Sequence, residues 1–536
     1  MKNIINNHRL IAVGLLVIVL FIAAIRIRLL SIPLERDEGE YAYIAQMMLK
    51  GVPPFISAYS MKLPGIYAVY ALIFLVFGQS ASAIHFGLLI ANIAAIILIF
   101  LLTRRLFDDI SAFIAACSYA VVSLARPVLG LSANAEHFVL LPVLTGFILL
   151  LQFIERRRLW VLFFTALLFG LAFIIKQHAI FFGIFAAFYL LYSDFHCEPF
   201  RWKNLIAGQI VFAAGAVIPF VVTCFIFWRA GVFDKFLFWT FIYAGKYASV
   251  TPLQFAPGIF FHYFSDVFKF SIPIWIFALS GLFRIFYNSS LRKFIPFISG
   301  LLFFSFLSIC PGFYFRSHYF IFLLPVTVIL SSLGFLGFCV WIKGRLPRPL
   351  YGLIAVIAGF ILIGYALFEQ RMYLFDGNSA KVCRLIYKAN PFLESQKIAE
   401  FITANSDSND TIAVIGSEPQ IYFYSRRKSA TRYIYTYPLM EPHDYAASMQ
   451  KEMMKEIESA KPKFLVFVNI QASWLVKKDS ITTILKWFES YSGEYYDVVG
   501  VTVLLPNEQS IYRWQVQARD YRPSTDTWLA VCERKQ

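Results

Sequence analysis

The sequence predicts a polytopic α-helical membrane protein that carries a C-terminal soluble α/β domain. Three observations carry that prediction. The 536-residue chain is 59% hydrophobic and only 15% charged, whereas soluble domains sit nearer half apolar and a quarter charged. Long apolar runs recur through residues 1–370, most of them near the length an α-helix needs to cross a bilayer. From Phe375 onward those runs stop and charge density rises.

The apolar runs lie near residues 9–30, 83–103, 109–125, 137–154, 159–175, 179–193, 205–228, 271–287, 294–311, 318–342 and 350–368, which makes about eleven transmembrane helices. No small-residue cleavage site follows the first run, Leu10–Leu30, so it reads as a retained signal anchor. Segments 63–78 and 257–270 are apolar but short, and Pro or Gly flanks them; both read as interfacial helices. Basic clusters at Arg104-Arg105, Arg156-Arg157-Arg158, Arg201/Lys203, Arg292-Lys293 and Lys343/Arg345/Arg348 fall in alternate loops, and Arg9 starts the series. The positive-inside rule places these loops and the N-terminus in the cytoplasm. The formal charge of +16 is therefore a topology signal, and no nucleic-acid partner is expected.

Residues 371–536 read as an extracytoplasmic α/β domain. A helical period covers Leu393–Asn405, and strand-type runs cover Thr411–Ile415, Phe464–Val468, Val498–Leu505 and Trp528–Cys532. The seven cysteines form no CxxC pair, so no metal centre is assigned. Cys383 and Cys532 are free to pair if their domain lies outside the cell.

The outward loops gather an unusual set of polar groups. The first supplies Asp37, Glu38, Glu40, Tyr41, Tyr43 and Tyr59, then Lys62-Leu63-Pro64-Gly65. Later loops add Arg126, Asn134, Glu136 and His137, then Lys176-Gln177-His178, then Arg316-Ser317-His318-Tyr319. Lys62, Arg126, Lys176 and Arg316 sit at membrane edges on the side that the charge rule depletes. Arg316 and His318 also stand where a helix begins, which disfavours cations. An anionic partner explains both features, and a lipid phosphate is the natural one. Asp37 or Glu38 beside it would serve as general base for an acceptor that attacks a sugar C1. One carboxylate suffices, because a phosphate leaves without a protonating acid; two-carboxylate glycosidases differ in this. Asp37 and Glu40 also fit a capping box that opens a helix over Glu38–Leu49, which gives Glu40 a structural reading. No His/Cys ligand spacing appears; a divalent cation held by a carboxylate pair stays open.

The stretch Arg36-Asp37-Glu38-Gly39-Glu40-Tyr41-Ala42-Tyr43-Ile44-Ala45-Gln46, the Lys-x-Pro at Lys62 and the following Gly78 resemble the first outer loop of GT-C glycosyltransferases. Ser132–Glu136, Gly170–Phe173 with Lys176-Gln177, and Arg316–Tyr319 with Leu324-Pro325 are similar to later landmarks of the branch that holds protein O-mannosyltransferases, the lipid A aminoarabinose transferase and core galacturonosyltransferases. The resemblance implies a polyprenyl-phosphate sugar donor and an extracytoplasmic acceptor, which is lipid A, core oligosaccharide, cell-wall glycan or protein. It implies a reaction at the outer face of the plasma (bacterial inner) membrane, and inversion at C1 follows if attack is a single displacement. Asp37 takes the role of base, Glu136 the second acidic position, and Lys62 and Arg316 the phosphate contacts. Glu38 stands second to Asp37, and Tyr41, Tyr59, Lys176 and His318 complete the candidate substrate site. Relatives often carry Asp at the second acidic position, so Glu136 brings a longer arm. The stretch Gly416–Gln420 with Arg426-Arg427 and Arg432-Tyr433 reads as a loop able to cover the site. The rival reading is a transporter or flippase for a lipid-linked sugar, whose charges belong near the bilayer midplane.

Overall fold

The computed structural model describes residues 2–505 and 509–535. Each predicted apolar run forms a helix. The first nine main helices are α1 (Lys2–Arg28), α2 (Arg36–Leu49), α3 (Gly65–Phe77), α4 (Ala81–Leu106), α5 (Asp109–Val122), α6 (Ala135–Arg156), α7 (Leu159–Ile175), α8 (Ile180–Phe195) and α9 (Trp202–Arg229). Helices at Ile272–Tyr287, Ile295–Ile309, Leu324–Lys343 and Arg348–Glu369 complete the bundle. Among the described residues, eight helices are long and apolar enough to cross a membrane, or nine if one bent pair counts as a single span. That pair joins Leu253–Lys269 to Ile272–Tyr287 at 105°, so the segment predicted as interfacial lies nearly perpendicular to the span it feeds. α5 has 14 residues and is only about 21 Å long, too short to cross alone.

Small residues set the closest helix contact. A Cβ added at Gly281 would lie 1.9 Å from the Leu330 carbonyl oxygen, and one added at Gly334 would lie 1.9 Å from that of Phe277. The Ile272–Tyr287 and Leu324–Lys343 helices thus touch backbone to backbone, the packing that small residues permit between membrane helices.

α2 opens two residues earlier than predicted. Its N-cap is Glu35, which accepts from the Glu38 amide, while the Glu38 carboxylate accepts from the Glu35 amide at 3.0 Å. The capping box therefore exists but pairs Glu35 with Glu38, not Asp37 with Glu40. With the box formed two residues upstream, Asp37 and Glu40 are free of capping.

The C-terminal part is built on a six-stranded sheet with the order β2-β1-β3-β6-β4-β5. The strands are β1 (Thr411–Ile415), β2 (Lys428–Ser429), β3 (Phe464–Asn469), β4 (Tyr496–Val503), β5 (Ile511–Trp514) and β6 (Trp528–Arg534). β2, β1 and β3 run parallel; β6, β4 and β5 add antiparallel neighbours. Side chains alternate across the sheet. Ile412, Val414, Phe464 and Val466 pack in one apolar cluster with Leu34, Tyr43 and Phe74 of the helical part. Ala413, Ile415 and Leu465 face the opposite cluster with Met449, Met453 and Ile457. One face of the sheet is thereby fused to the end of the bundle that carries α2.

Specific contacts fix that junction. A Cβ at Gly39 would stand 2.6 Å from the Gln420 backbone nitrogen, so only glycine admits the approach of α2. The Tyr424 hydroxyl accepts from the Leu34 amide at 2.8 Å, and the Tyr43 hydroxyl accepts from the Ser429 amide at 2.9 Å. Cys383 and Cys532 are both free and buried. They sit in separate apolar clusters, so the pairing considered from sequence does not form.

Candidate active site

The junction encloses a cavity of about 360 Å³. The start of α2 contributes Glu35, Arg36, Asp37 and Glu40; the loop before α3 contributes Tyr59 and Lys62; the turn after α7 contributes Lys176. Arg316, His318 and Tyr319 come from the turn before the Leu324–Lys343 helix, and Tyr435 and Tyr437 come from the C-terminal part. Phe313 and Phe315 both hold positive φ, at 53° and 44°, which bulky residues rarely adopt. This tight turn presents Arg316.

Asp37 and Glu40 lie one helical turn apart and share a face. Lys62 Nζ bridges them, at 2.7 Å from Asp37 Oδ1 and 2.5 Å from Glu40 Oε2. The same ammonium lies 4.6 Å from the centre of the Tyr41 ring, a favourable cation–π distance. The Tyr435 hydroxyl donates to Asp37 Oδ1 at 3.1 Å. Both of these donors take Oδ1, so Oδ2 is the oxygen of Asp37 left for a further partner. Burial alone would raise the Asp37 carboxyl, but Lys62, with His318 and Lys176 nearby, holds it well below the usual carboxylate range. Burial lifts the Glu40 carboxyl in spite of Lys62. Burial, with Asp37 and Glu38 close by, raises Glu35 well above its ordinary value. Neighbouring carboxyls pushed apart in this way are a signature of assigned proton roles.

Lys176 Nζ stands 2.5 Å from Glu136 Oε1, and His318 Nε2 lies 3.8 Å from the same oxygen. Lys176 also lies 4.5 Å from the centre of the Tyr319 ring. Arg36 meets Glu418 Oε1 through Nη2 at 2.5 Å and donates to the Ser417 carbonyl and Asn390. Three of the four Lys and Arg residues on the wall, Arg36, Lys62 and Lys176, thus have carboxylate partners. Among the described residues, Arg316 makes no ion pair and instead lies 5.3 Å from the centre of the Tyr314 ring.

The structure brings Asp37, Tyr59, Lys62, Lys176, Arg316 and His318 together on one cavity wall. Glu40 joins them on the cavity wall, which replaces its predicted capping role. Glu136 stands behind Lys176, and Tyr41 beneath Lys62. Glu38 is a correction. It does not line the cavity; its side chain is fully buried and is taken up by Glu35, His85 and Ala133. Successive helical residues point about 100° apart, so Asp37 and Glu38 cannot share the wall. Arg126 packs on Phe270, away from the cavity. Tyr435, 398 positions from Asp37, escaped the sequence reading. The aromatic alternation Tyr433-Ile434-Tyr435-Thr436-Tyr437 was the available signal. The Asp37 and Glu40 carboxylates of the wall are already bridged by Lys62, so a divalent cation placed between them would displace that ammonium.

Residues 61–228 match the family described as dolichyl-phosphate-mannose-protein mannosyltransferase. Nearly all of the chain also matches solved structures in fold. The oligosaccharyltransferase AglB from Archaeoglobus fulgidus, in complex with an inhibitory peptide and a dolichol-phosphate, matches with a TM-score of 0.52 at 12% identity, covering 94% of this chain and 74% of that one. ArnT from Cupriavidus metallidurans bound to undecaprenyl phosphate matches with a TM-score of 0.53 at 14% identity, covering 96% and 97%. The chain shares the fold of these two structures. No curated protein sequence matches it. The likeness of fold spans the C-terminal sheet as well as the helices, since both structures cover more than nine-tenths of the chain.

The cavity carries a pH prediction. If Asp37 must be ionised, activity is lost as pH falls through its pKa. Lys62 depresses that pKa, so the acid limb of wild type lies below the ordinary aspartate value near ~3.9. In Lys62→Met burial dominates, and the limb of kcat/KM moves up by about one pH unit or more. A pH–rate profile checks this; an unmoved limb would show that another group titrates.

Proposed function

We propose that this protein transfers a sugar from a polyprenyl-phosphate donor to an extracytoplasmic acceptor of the plasma (bacterial inner) membrane, by one displacement that inverts C1. The N-terminus lies in the cytoplasm and residues 371–536 lie outside, above a membrane part of residues 1–370. Asp37 Oδ2 takes the proton of the acceptor hydroxyl or amine as that atom bonds to C1. The C1–O bond to phosphate breaks, and the polyprenyl phosphate leaves with the electron pair and needs no acid. Lipid A, core oligosaccharide, cell-wall glycan and protein are the acceptor classes the reading admits.

The observation that carries it is Arg316. It is the wall guanidinium with no carboxylate partner among the described residues, in the same cavity as the free oxygen of Asp37. A cation left without a counter-ion in a partly buried site favours an anionic ligand, and a guanidinium fits phosphate through two parallel hydrogen bonds. Lys62 and Lys176 are the secondary phosphate contacts. A second cavity of about 290 Å³ adjoins the first and shares Lys62 and Lys176, and its wall adds Ile66, Ile175, Ile180 and Phe181. Apolar lining beside cations suits a lipid phosphate. Arg316→Met is expected to weaken binding of a short-chain polyprenyl phosphate about ten- to a hundredfold, measured by titration of the purified protein in detergent. Unchanged affinity would remove Arg316 from the phosphate site.

A further inference from the structure

We propose that Glu38 is a positioning residue whose carboxylate, clamped by His85, holds the 133–136 segment so that Glu136 meets Lys176 at the cavity wall. The inference rests on the functional reading above only for its kinetic arm. Glu38 and His85 are both buried, at 0% and 5% exposure. Glu38 Oε1 accepts from the Ala133 amide at 2.6 Å and lies 3.0 Å from His85 Nε2; Oε2 accepts from the Glu35 amide. His85 Nδ1 lies 2.9 Å from the Leu30 carbonyl oxygen, which can only accept, so Nδ1 carries a proton. Nε2 then faces a carboxylate oxygen. A neutral ring would set its lone pair against that anion. One further proton is therefore held between Nε2 and Oε1, on the ring or on the carboxyl. The pair thus bridges the end of α1, the start of α2, α4 and the segment before α6.

That segment is fixed from other sides too. The Tyr70 hydroxyl donates to the Ala133 carbonyl at 2.8 Å, and Ser132 Oγ lies 2.5 Å from the Tyr387 hydroxyl. Glu136 follows Ala133 by three residues and has neither carboxylate oxygen in a well-aligned hydrogen bond, although Lys176 lies 2.5 Å away. Its placement is therefore set by the backbone that Glu38 holds. Leaving Glu38 without a donor, or Ala133 without an acceptor, strands a buried polar group and loosens this junction.

The test uses the full-length protein with Glu38→Gln, Glu136→Gln, the double variant and His85→Phe. A glutamine cannot accept from Glu35, Ala133 and His85 together. Backbone hydrogen exchange across 131–137 is expected to speed up about tenfold or more in Glu38→Gln and in His85→Phe, with the sheet strand Phe464–Asn469 unchanged. Turnover in Glu38→Gln is expected to fall about tenfold, and the double variant to match Glu136→Gln alone, because an effect transmitted through Glu136 disappears once Glu136 is gone. Unchanged exchange at 131–137, or fully additive losses in the double variant, would overturn the proposal. The exchange arm reads the clamp whether or not the protein transfers sugar, so failure of the functional reading is seen separately, as a wild type without transfer.

Discussion

Asp37→Asn is expected to lower kcat/KM for sugar transfer about 10²- to 10⁴-fold, the usual worth of a positioned general base. The substitution keeps size and shape. Asparagine Oδ1 still accepts from the Tyr435 hydroxyl, and Lys62 keeps Glu40 as its counter-ion at 2.5 Å. The expressed amount and melting temperature should therefore stay near those of wild type, and donor binding should stay within a few-fold. What is lost is the proton acceptor at Oδ2. Single-turnover transfer with purified donor separates binding from chemistry, and near-normal turnover would remove Asp37 from the base role.

The second large effect concerns Arg36 and Glu418. Their ion pair is buried, with side-chain exposures of 9% and 0%, and joins α2 to the loop after β1. Removing one partner from a buried pair typically costs about 3–5 kcal/mol, because the other charge is left uncompensated. Arg36→Leu should therefore loosen the C-terminal part from the bundle. Tyr435 leaves Asp37 in that event, and the cavity loses the wall formed by Tyr437 and Glu441. Limited proteolysis should show faster cleavage near residues 371–391, accompanied by a fall in transfer. The double variant Arg36→Met/Glu418→Leu should regain much of the resistance, since apolar pairs often replace buried ion pairs at little cost. Wild-type resistance in Arg36→Leu would show that the apolar contacts, such as the stacked rings of Phe74 and Phe423, hold the junction alone.

The helices were readable because hydropathy over about 20 residues is a local property. Strands β1, β3, β4 and β6 were readable for a similar reason: each is a mostly buried apolar run. β2 is two residues long and β5 is half-exposed throughout, so neither leaves a run to detect. The start of α2 was ambiguous for a different cause. By residue preference Asp37-x-x-Glu40 is the better local capping box, since Asp caps helices more readily than Glu, yet the observed box is Glu35-x-x-Glu38. His85 and the Ala133 amide, far along the chain, choose between them. That choice also separates the two adjacent carboxylates, placing Asp37 at the cavity and Glu38 in the interior. The basic loops near Lys62, Lys176 and Arg316 were legible as misplaced cations. Which of them lacks a counter-ion depends on Asp37, Glu40 and Glu136 arriving in space, and no spacing rule reports that.

A transporter for the same lipid would also use cations near phosphate, so the decisive measurement follows the sugar. Purified wild type and Asp37→Asn are reconstituted into vesicles with a polyprenyl-phosphate sugar labelled in the sugar, and an acceptor-bearing membrane extract is added. The account predicts that the label leaves the lipid and appears on acceptor, that free polyprenyl phosphate accumulates in equal amount, and that neither occurs with Asp37→Asn. Labelled donor that crosses the bilayer with its sugar still attached, at the same rate in both proteins, would contradict it.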